Sequence, residues 1–267
     1  MCFWNASVAP TRGRGSQSVR QVASRVRRLM SDGASLVALC EMDDASAANL
    51  EGRLGTGEVE VISACEAIGR SRWDIVIVAS RASVCCESAG SQFGRSMGNI
   101  IRSAQSFDVL TESTSFRLYI THWRSRLTGK GFEHRRLAAE TLRCAVAADL
   151  DAGTPVVVLG DFNDEPFDTP MSALRAVRDP RLVCKHPRQL LFNASWSLAG
   201  PPPREPWGRF GSYRYPGRTS TAYQLDQALV SAHFLDESRG WAPLARNRSD
   251  VEPEGATGHL PLELVLA

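Results

Sequence analysis

The sequence predicts an α/β protein of mixed strands with a few helices, and three observations carry that expectation. Short apolar runs rich in β-branched residues, such as Asp-Ile-Val-Ile-Val-Ala over 74–79 and Pro155 to Leu159, read as buried strands. Two longer segments place apolar side chains at helical spacing: Val19, Val22, Val26 and Leu29 in one, Leu137, Ala138, Leu142, Ala145 and Val146 in the other. No internal repeat and no break in composition divides the chain, so residues 1–267 read as one domain.

In chain order, Cys2 to Val8 is short and apolar and reads as a first strand, followed by an Arg12-Gly13-Arg14-Gly15 turn. Ser16 or Ser18 can cap a helix running to about Met30, which Asp32-Gly33 ends. Leu36 to Cys40 is a buried-type strand that delivers Glu41. An Ala-rich helix fits 44–53, strands fit Val59 to Ile62 and Asp74 to Ala79, and 82–120 reads as shorter strands and turns ending at His122. A long helix fits 132–149. The strand Pro155 to Leu159 is broken by Gly160-Asp161-Phe162-Asn163, with the glycine permitting a tight exit. A short helix fits 168–177, and the Pro-, Gly- and aromatic-rich stretch 186–221 reads as a long ordered loop. Tyr223 to Val230 and Leu260 to Val265 close the chain as strands.

Composition narrows the class. Of 267 residues 43% are hydrophobic and 22% charged, which describes a chain with ample material for a core and excludes disordered, coiled-coil and collagen-like architectures. No run of 18 apolar residues is present to span a membrane, and Met1 to Asn5 lacks a secretory signal's basic and apolar regions. The seven cysteines are odd in number and lack CxxC spacing, which argues for reduced thiols in a cytoplasmic protein and against a disulfide framework or zinc site. The formal charge of +2 hides a segregation. Residues 1–31 hold six arginines and no acid, and 117–136 hold five arginines and Lys130 against Glu133 alone. Residues 149–168 hold six acids and no base. A solvated, arginine-biased surface explains this distribution, and so does a phosphate-binding surface beside an acidic metal pocket.

One pattern recurs: an apolar strand stops at a polar residue suited to metal or phosphate chemistry. Asn5, Glu41, His122, Asp161 with Asn163, Asp226 and His259 all fit it. Loops at strand ends are where a rigid sheet makes several groups converge. Singly, each has a plain structural reading, as a cap, a surface acid, a satisfied histidine or an Asx turn.

Order and spacing together are more specific. Phe3-Trp4-Asn5, Val37 to Glu41, Tyr119-Ile120-Thr121-His122-Trp123, Val158 to Pro166 with its Gly-Asp-Phe-Asn core, Gln224 to Ser231 and Gly258 to Leu262 resemble, in the same order, the motifs of the endonuclease/exonuclease/phosphatase superfamily. The resemblance covers nearly the whole chain. It implies a four-layer α/β sandwich, two mixed β-sheets packed face to face with helices outside, of the DNase I-like kind. It also implies phosphoester hydrolysis with a divalent cation, Mg²⁺ or Mn²⁺. On that reading Glu41 and Asn5 hold the metal, hard oxygen ligands suiting such an ion. His259 is the general base, Asp226 orients it, Asp161 orients the attacking water, and Asn163 and His122 donate hydrogen bonds to the phosphate.

Within the family, the missing signal peptide sets the chain apart from secreted members. The stretch Gln224-Leu225-Asp226-Gln227 differs from the Trp-Cys-Asp-Arg stretch of inositol 5-phosphatases. An intracellular nuclease on DNA or RNA is therefore the favoured expectation, with Trp123, Arg124 and Arg126 as substrate contacts and the loop Trp207 to Tyr215 as a second grip. No membrane and no obligate protein partner are expected. The alternatives are a phosphatase or phosphodiesterase on a phosphoinositide or small phosphoester, or an impaired member that binds nucleic acid. The last arises from a departure in the motif: the acid that commonly precedes the final histidine is Gly258 here, with Asp250, Glu252 and Glu254 as the nearest candidates to compensate.

Overall fold

The computed structural model describes residues 1–10, 15–55, 57–127, 131–199, 211–214, 222–235, 243–251 and 258–266. Two large mixed sheets face one another. The first contains β1 (Cys2–Asn5), β2 (Leu36–Cys40), β3 (Val59–Ser63), β6 (Val76–Ser80), β16 (Leu244–Asn247) and β17 (Leu262–Val265), in the order β16-β17-β1-β2-β6-β3. The second contains β7 (Val84–Ser96), β8 (Asn99–Thr111), β9 (Ser115–His122), β10 (Val156–Asp161), β11 (Ala176–Val177), β12 (Leu191–Asn193) and β15 (Asp226–Val230), in the order β11-β12-β15-β10-β9-β8-β7. Two small hairpins, β4 (Ala67–Ile68) with β5 (Ser71–Arg72) and β13 (Tyr213–Arg214) with β14 (Ala222–Tyr223), complete the strands.

Alternation along each strand builds the layers. Leu36, Ala38 and Cys40 of β2 point inward to meet Phe107, Leu118, Ile120, Val157 and Leu159 of the opposite sheet. Val37 and Leu39 point outward to α1 (Val19–Ser31) and α2 (Asp44–Leu54), where Val22, Val26, Leu29 and Leu50 cover them. On the other outer face α3 (Gly131–Asp151) lays Ala138, Leu142 and Val146 over Tyr119, Val156 and Val158. Because β2 and β10 are covered on both faces, all their residues are buried, which is why they read as unbroken apolar runs. Ser18 caps α1 in a capping box with Gln21, deciding between the two serines the sequence offered.

Several expectations are corrected. The first strand stops at Asn5, not Val8, because Ser7 adopts φ 46° and the amides of Val8 and Ala9 bond to the Glu41 carbonyl. The region 82–120 contains two 13-residue strands, β7 and β8, paired as one hairpin with register shifts at Ser88/Gly90 and Gln92/Phe93. Most of β7 is solvated, so it lacks the apolar alternation that marks a strand. The helix expected over 168–177 is confined to α4 (Thr169–Ala173), and Arg175 at φ 56° turns the chain into β11. Helix α5 (Pro180–Lys185), β12 and β16 had no legible signal. The Arg12 to Arg14 part of the first turn, and most of Trp207 to Tyr215, lie outside the described residues. Among the described residues no helix is long and apolar enough to cross a membrane.

Candidate active site

Register brings the strand-end residues to one pole of the sandwich. In the parallel pair β1–β2, Asn5 lies opposite Cys40, and Glu41 follows directly. In the parallel pair β9–β10, His122 lies opposite Asp161, and in the antiparallel pair β10–β15, Asp161 lies opposite Asp226. The two sheets then meet through side chains: Asn5 Nδ2 donates to Asp161 Oδ2 at 3.3 Å and to Glu41 Oε1 at 3.4 Å. Glu41 and Asn163 both hold left-handed backbone, φ 56° and 51°, a strain of about 1–3 kcal/mol each that the surrounding sheets must maintain. Gly160 has a different reason from the tight exit expected of it. A β-carbon there would collide with the side chain and carbonyl of Thr121, so glycine is what lets β10 lie so close to β9.

Two histidine–carboxylate pairs flank the acidic centre. His259 Nδ1 is 2.9 Å from Asp226 Oδ2, and its Nε2 faces Asp161 Oδ2 at 3.7 Å. His122 Nδ1 is 2.8 Å from Asp74 Oδ2, and its Nε2 faces Glu41 Oε1 at 3.8 Å. Burial pulls the His259 imidazole down, but Asp226, Asp161 and Glu41 outweigh it and push it up to about 9. Burial likewise lowers His122, and Asp74 again overcomes it, although Arg102 opposes the rise. Asp161 is held above the ordinary carboxylate range, first by burial and then by the nearby Asp226, against the pull of His259. Burial alone would raise Asp74, yet Arg102 and His122 hold it well below that range.

The donors suit a divalent cation. Ligand atoms of Asp161, Asp226 and His259 all lie within 4.8 Å of one another, and Asp226 Oδ1 is buried with no hydrogen-bond partner. With Glu41 and the Asn5 amide beside them, this is a mainly hard-oxygen set whose crowded acids call for a positive charge. At position 258, Gly258 sits at φ 83°, a conformation an aspartate adopts only with strain. Asp250 does not stand in for the missing acid: its carboxylate is held by Arg248 at 2.8 Å and Arg28 at 3.5 Å, against α1. Glu252 and Glu254 lie outside the described residues.

The expected substrate contacts divide. Trp123 is corrected to a core residue: it is 1% exposed, stacks edge-on against Phe162 and donates its indole N–H to Ser103 O at 2.8 Å. Arg126 braces the site, donating to Asn163 O at 2.7 Å and pairing with Asp164 and Asp168. Arg124 is exposed and meets His134 Nδ1 at 2.8 Å. Asn163 donates one amide hydrogen to Trp123 O, 3.0 Å away.

Sequence reasoning missed Asp74 and Ser212. It looked for polar residues where strands end, whereas β6 runs antiparallel to β2, so Asp74, just before β6 begins, arrives at the pole where β2 finishes. A charged residue at the head of an apolar run was the available signal. Ser212 ties the second pair together, accepting the Asp226 amide on Oγ at 2.9 Å and the Leu260 amide on its carbonyl at 2.7 Å.

Two facing mixed sheets with helices outside and an acidic, histidine-flanked pole define the DNase I-like α/β class. The sequence model of the endonuclease/exonuclease/phosphatase family matches residues 2–250, and the chain belongs to that family, whose members are generally hydrolases. Similar solved structures include the human Nocturnin catalytic domain, with TM-score 0.60 and 15% identity, covering 99% of this chain and 94% of that one. Truncated Caenorhabditis elegans TDP2 matches with TM-score 0.63 and 12% identity, over 98% and 96% of the two chains. The mannosyl-6-phosphatase Bt3783 of Bacteroides thetaiotaomicron matches with TM-score 0.63 and 14% identity over 99% of both. No curated protein sequence matches significantly.

Proposed function

We propose that the protein is a divalent-metal-dependent phosphodiesterase acting on DNA or RNA. One observation carries the reading: two oppositely placed histidine–carboxylate pairs share a single acidic centre at one pole of the two sheets. Asp226 fixes the tautomer of His259, leaving Nε2 toward Asp161, where a water between them would be oriented and lose its proton to the imidazole. His122, whose affinity for a proton Asp74 raises, would present Nε2–H to the phosphate, and the second amide hydrogen of Asn163 adds a fixed donor. Glu41, Asn5, Asp161 and Asp226 would hold Mg²⁺ or Mn²⁺. When bound, that ion neutralises phosphate and leaving-group oxygen charge and brings the His259 imidazole back toward the range in which it accepts a proton.

Of the arginines of 117–136, exposed Arg124 supports a polyanionic substrate, whereas Arg117, Arg126, Arg135 and Arg136 are paired with acids. The likeness to structures of both TDP2 and a mannosyl-6-phosphatase keeps a phosphomonoester substrate as the second reading. Incubating the protein with plasmid, single-stranded DNA and RNA in Mg²⁺ or Mn²⁺ is the test, with hydrolysis abolished by EDTA as the expected result. Turnover of small phosphomonoesters alone would replace the nuclease reading with the second. Binding of nucleic acid without hydrolysis of anything would identify an impaired member.

A further inference from the structure

A strip of rings and guanidinium groups leads away from His259. The Tyr213 ring lies 4.4 Å from the imidazole, centroid to centroid. Tyr213 is directly opposite Tyr223 in the β13–β14 hairpin, so both project from the same face. The Arg126 guanidinium stands 5.9 Å over the Tyr223 ring and pairs with Asp168. Next to Asp168, Phe167 leans on Trp196 with ring centroids 6.3 Å apart and planes at 53°, and Arg178 stands 6.0 Å over Trp196.

Phe167 is the unusual member. It is 56% exposed, on the segment that leaves the Gly-Asp-Phe-Asn turn. Its backbone is held in place nonetheless, since Asp168 accepts the Glu165 amide at 2.8 Å and receives Arg126. An exposed aromatic face on a braced loop offers stacking area at small entropic cost. Alternating π-faces and cations are the chemistry by which proteins hold unpaired nucleotides, with bases on rings and phosphates beside guanidinium groups. A duplex keeps its bases stacked on one another and offers no free faces to such a strip.

We infer that this strip is a track for single-stranded nucleic acid, with a base stacking on Phe167 and the backbone passing Arg178. The inference rests on the proposed nuclease reading and specifies its substrate as unpaired strand. The test measures binding of a nuclease-resistant phosphorothioate single strand, its counterpart of equal length with abasic residues, and a duplex. Expected are tighter binding of the base-bearing strand than of the other two, and about a tenfold loss of that advantage in Phe167→Ala. Phe167→Trp should retain the advantage, and Arg178→Glu should weaken binding of base-bearing and abasic strands together. Unchanged affinity in Phe167→Ala, equal losses on both strands, or duplex binding as tight as single strand would overturn it. Hydrolysis of the base-free diester bis(p-nitrophenyl) phosphate by the unaltered protein reads the pocket separately. Its absence counts against the nuclease reading, whereas base-independent binding alongside such hydrolysis removes only the track.

Discussion

The two histidine–carboxylate pairs have nearly the same geometry, 2.8 Å for His122 with Asp74 and 2.9 Å for His259 with Asp226, yet they sit in different electrical surroundings. Behind Asp74 stands Arg102, its guanidinium 3.2 Å from Oδ1. It forms an ion pair without hydrogen-bond alignment, since Oδ1 has no hydrogen-bond partner. Facing His259 are three acids, Asp226, Asp161 and Glu41, which raise it. A dyad's charge state is therefore set by its third neighbour more than by its own hydrogen bond. In the His122 pair Arg102 tempers the pull of Asp74 on the imidazole proton. The His259 pair would become a working base when the acids beside it acquire a cation.

The largest test of this contrast is catalytic. His259→Ala should cost 10²–10⁴-fold or more in diester hydrolysis, and Asp226→Asn about 10⁴-fold by leaving the wrong tautomer. Asp74→Asn should cost about 10²-fold, the scale of one lost fixed donor. Equal losses for Asp226→Asn and Asp74→Asn would dissolve the distinction. Next comes pH. In metal-free protein the folded His259 titrates near 9 against about 6.5 unfolded. Its contribution to stability is thus complete below about pH 6.5 and lost as pH rises through about 9. Imidazole resonances followed by NMR should show this titration, and saturating Mg²⁺ should move it downward.

Arg102→Gln sharpens the comparison further. It removes the cation that opposes protonation of His122, so that imidazole should titrate higher in the same NMR experiment. The smallest effect is expected from Gly258→Asp. The left-handed backbone there penalises a side chain by about 1 kcal/mol, lowering Tm by about 2–4 °C, while Mg²⁺ titration should show tighter binding. Gly258→Ala should show the same fall in Tm without the gain in affinity.

Much of the site was legible because its members end apolar runs. Glu41 after Leu36–Cys40 and Asp161 after Val156–Gly160 stand where apolar runs buried on both faces end, and the chain writes that boundary locally. Asp74 escaped notice because its place depends on β6 running opposite to β2. Trp123 misled for a related reason: beside two arginines it resembles a nucleotide grip, and only α3 and the Phe162 ring reveal it as core. The β7–β8 hairpin was illegible because solvation of β7 erases the period-two pattern that marks a half-buried strand.

By itself, the sequence determined the α/β class, the long helices, the strands buried on both faces and the acids and histidines at their ends, because burial periodicity and its interruption are local properties. Tertiary structure decided which ends meet. Asn5 and Asp161 lie 156 residues apart and bond only because the two sheets pack face to face. Asp226 and His259 are brought together by Ser212, held by the β13–β14 hairpin. The partners that set each histidine's charge, Asp74 and Arg102 for one and a crowd of carboxylates for the other, come from separate elements, since electrostatic neighbourhood follows distance in space.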